Sequence, residues 1–166
     1  MKAALAGLLV LVAAAAYPVP QEPGQVFYVQ RSLNPNTVVY VARMTDGRLA
    51  ADEPVAVYWR RYNNEGERRE LSTIERRLAF GVKAEPVPGQ PGSFRVRVVS
   101  YPDRPALLRL VDGVPRLEAK VAGEPARLDH AYLEVDDSGS LPRVTRVDLY
   151  GTALATGQPV RESFTP

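Results

Sequence analysis

Short runs rich in Val, Tyr, Phe and Trp recur along the chain between clusters of turn-forming residues. Val26 to Ser32, Thr37 to Met44 and Val55 to Tyr62 are separated by Leu33-Asn34-Pro35-Asn36 and by Asp46-Gly47. Their β-branched and aromatic content predicts three strands. In the third, period-two alternation places Val55, Val57, Trp59 and Arg61 on one face and Ala56, Tyr58, Arg60 and Tyr62 on the other. Asn63-Asn64-Glu65-Gly66 ends that strand. Ser72-Thr73-Ile74-Glu75 then has the Ser-x-x-Glu spacing of a capping box. It predicts a short helix over Thr73 to Leu78, with Leu71, Ile74 and Leu78 on one face lying against a sheet.

Beyond the helix, Ala79 to Glu85 reads as a strand and Pro86 to Gly92 as an irregular connection. Phe94-Arg95-Val96-Arg97-Val98 alternates, which turns Phe94, Val96 and Val98 inward and both arginines outward. Leu107 to Val111 and Arg116 to Val121 flank Asp112-Gly113, a pair suited to the positive φ angles of a tight hairpin. In the second of these runs Leu117, Ala119 and Val121 face inward. Arg127 to Val135 and Arg143 to Tyr150, joined through Asp136-Asp137-Ser138-Gly139-Ser140, predict a second hairpin. Val160 to Ser163 predicts a final edge strand.

Eight to ten short strands with one short helix near residues 72–79 predict an all-β, mainly antiparallel fold, a barrel or a sandwich. A doubly wound parallel sheet is disfavoured, because no helical crossovers separate successive strands. Residues 26–166 read as a single domain after a Pro-rich lead from Tyr17 to Gln25.

The start of the chain has a different character. Met1-Lys2, the apolar run Ala3 to Val12 and the small residues Ala13 to Ala16 follow the order of a secretory signal peptide. The run is shorter than the ~20 residues of a spanning helix, so cleavage near Ala16 and a periplasmic or secreted destination are expected. No Cys follows the run, which removes the lipoprotein option.

Charge adds little. The formal net charge is +2, from 21 Lys+Arg against 19 Asp+Glu, with no long block of one sign, so a nucleic-acid partner is not indicated. The basic residues are nearly all arginine, with lysine only at Lys2, Lys83 and Lys120. A GC-rich coding sequence accounts for that bias, and an anion-binding role has to compete with it.

Candidate chemistry is sparse. His130, the single histidine, neighbours Asp129, but alternation points the two to opposite faces of a strand. No Gly-x-Ser-x-Gly elbow nominates a nucleophile. One His without Cys makes a zinc site improbable, and no phosphate loop or other cofactor motif occurs. Residues 136–140 lack the spacing of a calcium loop and read as a turn. What stands out is arginine beside aromatic residues: Phe27-Tyr28-Val29-Gln30-Arg31, Tyr58-Trp59-Arg60-Arg61-Tyr62, and the alternating Arg146, Asp148 and Tyr150. A guanidinium stacks on a ring and still holds an anion with its fork. Such pairs suit a concave surface for an anionic, partly apolar ligand; they equally suit arginines lying over surface tyrosines.

Phe27 to Ser32, Asn34 to Tyr40, Pro54 to Tyr62, Leu71, Glu75-Arg76, Ala79-Phe80-Gly81 and Asp148 to Gly151 together resemble a bacterial exported domain-of-unknown-function family, number 4833 (DUF4833). Phe80 stands where Tyr is expected. The resemblance implies an exported domain and brings no activity with it. It focuses attention on Gln30, Arg31, Ser32, Asn34, Asn36, Trp59, Tyr62, Glu75 and Arg76. Asn34 and Asn36 suit a turn held by their own side chains, or a polar rim to a binding site.

The expected function is a non-catalytic periplasmic or secreted β-domain that binds a small amphiphilic or anionic ligand or an envelope protein. The candidate ligand residues are Gln30, Arg31, Asn34, Asn36, Trp59, Arg61, Tyr62 and Arg76, with no cofactor. The alternatives are an envelope hydrolase using Glu75 or Asp148 as acid or base, and a structural interaction module.

Overall fold

The computed structural model describes residues 17–166; the expected leader at residues 1–16 lies outside them. Among the described residues thirteen strands form: β1 (Gln25–Arg31), β2 (Asn34–Ala42), β3 (Met44–Thr45), β4 (Arg48–Leu49), β5 (Val55–Arg61), β6 (Glu67–Glu70), β7 (Val82–Pro86), β8 (Phe94–Val98), β9 (Ala106–Val111), β10 (Val114–Val121), β11 (Glu124–Asp136), β12 (Arg143–Ala153) and β13 (Pro159–Phe164). Eleven of them share one sheet, more than the eight to ten expected, and β3 and β4 form a separate small hairpin. The sheet is curled into a half-barrel, so the fold is all-β as expected. Among the described residues no helix is long and apolar enough to cross a membrane.

The long strand β11 organises the sheet. Along one edge it pairs antiparallel with β12, which carries β13. Along the other, Glu124–Arg127 pair with β10 and His130–Leu133 pair with β1. Two wings therefore leave one edge: β1-β2-β5-β6 and β10-β9-β8-β7. The β1–β11 pairing is parallel, and the sheet's other pairings among the described residues are antiparallel. A bulge between Leu128 and His130 marks the handover from one wing to the other and bends the strand. Gly151 stands opposite Leu128 at this bend. A Cβ there would lie 2.6 Å from the Arg127 carbonyl oxygen, 3.3 Å from Ala126 Cβ and 3.4 Å from Val121 Cγ2, so glycine is what lets β10, β11 and β12 curl this tightly.

The turns explain which strands the sequence announced. Asp46-Gly47 and Asp112-Gly113 take consecutive positive φ angles, as their chemistry predicts, and Ala122-Gly123 does the same without an Asp or Asn to announce it. The expected connection Leu33 to Asn36 is shorter: Ser32-Leu33 makes the turn, and Asn34, Pro35 and Asn36 already belong to β2. Leu33 is held at φ 60°. Ser32 accounts for this, since its Oγ accepts from the Val135 amide at 2.9 Å and its own amide donates to the Leu133 carbonyl at 2.8 Å.

The helix α1 spans Thr73–Leu78, with the full capping box: Ser72 Oγ accepts from the Glu75 amide and the Glu75 carboxylate accepts from the Ser72 amide. Its apolar face is not where the pattern put it. Leu71 is buried, but Ile74 and Leu78 are 71% and 72% exposed. Contacts through Glu75 and the following Phe80 hold the helix in their place. Glu75 accepts from Trp59 Nε1 at 3.0 Å and from Arg69 at 2.8 Å. Phe80 sets its ring edge-on to Trp59 and accepts a hydrogen bond from the Tyr40 hydroxyl at 3.0 Å. These contacts join β7 and α1 back to the first wing.

The inward rows of both wings form one core, with Val38, Tyr40, Leu108 and Val121 among its most deeply buried members. On the outer face, the Pro-rich lead lies against β1 and β5. Pro20 is fully buried, Gln30 Nε2 donates to the Pro18 carbonyl at 3.1 Å, and Glu22 pairs with Arg60.

Candidate functional site

Between the wings runs an open trough of about 1300 Å³. The buried Val29 of β1, Tyr40 of β2, Val96 of β8 and Leu117 of β10 close its inner side, and the partly exposed Val98 of β8, Leu133 of β11, Leu149 of β12 and Phe164 of β13 form its accessible walls. The space exists because several inward positions carry little side chain. Ala119, Ala126 and Ala131 line it. A core of fully interdigitated side chains would leave few voids larger than a water molecule; this interior departs from that rule by volume and by lining.

One flank is fastened by charge. Arg104, on the loop between β8 and β9, donates to Glu162 of β13 at 2.6 Å and lies 4.0 Å from the centroid of the Phe164 ring. Glu162 also accepts from the Ala122 amide at 2.9 Å. The Arg104 hydrogen bond and the Ala122 amide hold the Glu162 carboxyl below the usual range, against the effect of its burial. Tyr101, on the same loop, sets its ring edge-on to Phe164. Its hydroxyl is buried with no partner among the described residues, although it belongs to a side chain lining the trough. The rim also carries Arg95, Lys120 and Arg143.

The candidate ligand residues divide between two faces. Arg31, Trp59 and Arg61 lie on the inward rows of β1 and β5, beside the trough but not among the residues that line it. The Arg31 guanidinium carbon is 5.5 Å from the centroid of the Trp59 ring, and Arg61 stands 3.7 Å from Glu67. Asn34 and Asn36 serve the backbone: Asn34 Oδ1 accepts from the Asn36 amide at 2.9 Å and Asn36 Oδ1 from the Asn63 amide at 3.3 Å. Arg76 pairs loosely with Glu70 at 3.7 Å on the surface. Gln30 and Tyr62 are on the outer face with Glu22. Burial first, and the Glu22 carboxylate second, raise the Tyr62 phenol. The trough-lining residues Tyr101, Leu133, Leu149 and Phe164 are absent from the candidate set. For the three strand residues the signal was the inward row itself, which by periodicity cannot be told from a filled core; Tyr101 lies on the loop between β8 and β9, where no row points to it.

The carboxylates proposed for hydrolysis are occupied. Burial alone would raise Glu75, but the Ser72 amide and hydroxyl, Arg69 and Trp59 outweigh it and leave the carboxyl lowered. Asp148 is only 2% exposed, on the outer face. There too burial is outweighed, by the Ser163 hydroxyl, Arg161 at 3.1 Å and Arg146 at 3.3 Å, and its pKa is lowered. Neither group is protonated near neutral pH, and lowered basicity makes each a poor proton acceptor. His130 is also on the outer face, stacked between Tyr28 and Tyr150 at centroid distances of 4.8 and 4.3 Å. Desolvation lowers its pKa despite the neighbouring Asp129. Asp129, at the bulge, turns to Thr152 and Arg127 and does not contact the imidazole. Among the described residues, no group of three or more His, Asp and Glu is placed to hold a metal ion.

Fold and site together define a β half-barrel built around an apolar trough with a charged rim. The chain belongs to the family described as Domain of unknown function (DUF4833), whose family model matches residues 27–163. No curated protein and no solved structure matches it.

Proposed function

We propose that this chain is a non-catalytic carrier or sensor of a small amphiphile, exported by its leader and loaded by burying the ligand's hydrocarbon portion in the trough. The observation that carries the reading is the trough itself: about 1300 Å³ of space walled by apolar side chains and open to solvent. Exposed apolar surface of this kind is costly unless something covers it. Each methylene moved into it contributes about 0.8 kcal/mol, so an alkyl chain supplies most of the binding energy. The open side leaves room for a polar head in contact with water. The hydrolase alternative loses ground because Glu75 and Asp148 are both held ionised by hydrogen bonds and arginine partners.

The test is a fluorescence titration of the chain beginning at Tyr17 with N-phenyl-1-naphthylamine, an uncharged apolar probe, in the wild type and in Ala119→Trp. Ala119 is half-buried and lines the trough, so the indole fills space while leaving the sheet pairing intact. The expected outcome is saturable enhancement in the wild type and its loss in the variant, with the fold checked by circular dichroism. No saturable binding to the wild type, or equal binding to both, refutes the reading.

A further inference from the structure

We infer that Arg31 is the anchor for an acidic head group, so that the ligand is an anionic amphiphile with its tail in the trough and its carboxylate or phosphate on this guanidinium. The inference rests on the trough reading above and adds the class of ligand.

Arg31 closes the inward row of β1. Two residues back on the same row, Val29 lines the trough; across the parallel ladder Arg31 stands opposite Leu133, which also lines it. The Trp59 ring beneath the guanidinium meets Phe80, another lining residue, edge-on. Arg31 does not itself line the trough, but it borders three residues that do, Val29, Leu133 and Phe80 through Trp59.

Its environment is also incomplete. Nε is buried with no acceptor, and Arg31 makes no ion pair among the described residues. A part-buried guanidinium without an acceptor is unfavourable, and buried polar groups are nearly always satisfied. The contact with Trp59 compensates in part but takes no hydrogen bond.

The other cations around the trough do not share this state. Arg104 is committed to Glu162. Arg95, Lys120 and Arg143 are exposed, so water weakens what an anion would gain there. A guanidinium with a sheltered, unpaired Nε–H and an aromatic ring beneath it is what a carboxylate or phosphate binds with two parallel hydrogen bonds.

The test uses 11-(dansylamino)undecanoic acid and its methyl ester, which share a body and differ in head charge. Both are titrated by dansyl fluorescence into the wild type, Arg31→Gln, Arg31→Lys and Arg143→Gln. The wild type should bind the acid about tenfold to hundredfold more tightly than the ester, the range expected for a charge-assisted hydrogen bond. Arg31→Gln should abolish that preference while leaving ester affinity within about twofold, Arg31→Lys should restore part of it, and Arg143→Gln should keep it. Equal binding of acid and ester by the wild type, or a preference that survives Arg31→Gln, overturns the assignment and leaves the trough reading standing. Failure of both probes to bind overturns the two together.

Discussion

Gly151 gives the sharpest handle on why the sheet curls. In Gly151→Ala the new methyl carbon would stand 2.6 Å from the Arg127 carbonyl oxygen, with Ala126 Cβ at 3.3 Å and Val121 Cγ2 at 3.4 Å. The nearest atom belongs to a backbone locked into the β11–β12 ladder, since Arg127 pairs with Thr152 and Leu128 with Gly151 itself. No flexible side-chain end can swing away, so the ladder must open at its bend. Overpacking of a closed interior costs about 1–3 kcal/mol, and the backbone contact puts this case toward the upper half, about 2–3 kcal/mol. For a body of this size, that lowers the melting temperature by roughly 4–12 °C. The comparison is Gly139→Ala in the β11–β12 loop, where the nearest neighbour to the new methyl would be the Leu141 carbonyl oxygen at 3.7 Å; it should fall within about 0.5 kcal/mol of the wild type. Urea unfolding followed by circular dichroism measures both, and a drop in midpoint at unchanged slope reports stability alone. If Gly151→Ala unfolds within about 0.5 kcal/mol of the wild type, the close approach does not set the curvature.

Three further outcomes follow from the packing and the charges. His130 is half-buried between two tyrosines with its pKa lowered, so its contribution is full above the unfolded value of about 6.5 and is lost as pH falls through that value toward the folded one. As it is the single histidine, urea midpoints measured between about pH 5 and 7 should decline in the wild type and flatten in His130→Phe. Ser72→Ala should cost about 1 kcal/mol by removing the helix cap, read by urea unfolding, and no loss would mean that Glu75 alone holds the helix start. Asp148→Asn should cost about 1–3 kcal/mol at pH 7, because it removes the charged acceptor of Ser163, Arg146 and Arg161. With the folded pKa lowered, that difference should be full above about pH 4 and should shrink as acid protonates the wild-type carboxyl, which unfolding at pH 3 against pH 7 would register.

Much of the sheet was legible because alternation and turn chemistry agree. Phe94 to Val98, the Asp112-Gly113 hairpin and the capping box at Ser72 all fold as their spacing implies. What the pattern hid had physical reasons. β6 is Glu-Arg-Arg-Glu, exposed throughout, and exists through its pairing with β5. Ala122-Gly123 turns without a typical first residue. Ile74 and Leu78 keep a helical apolar spacing and still face solvent, because Glu75 and Phe80 fix the helix from its two ends. The candidate site was half legible. Arginine beside aromatic residues drew attention to Arg31 and Trp59, which do meet, whereas Gln30 and Tyr62 belong to the opposite face under the Pro-rich lead. The trough itself is a matter of missing volume, and inward alanines such as Ala119 and Ala131 look in a sequence like ordinary core positions.

If a ligand completes the interior of this half-barrel, it should travel with the protein through purification. Native mass spectrometry of the protein purified without detergent from the cells that produce it tests this directly. The wild type should show a population carrying an adduct that organic extraction removes and that Ala119→Trp does not retain. Unmodified masses for both proteins, or an adduct retained equally by both, would contradict it.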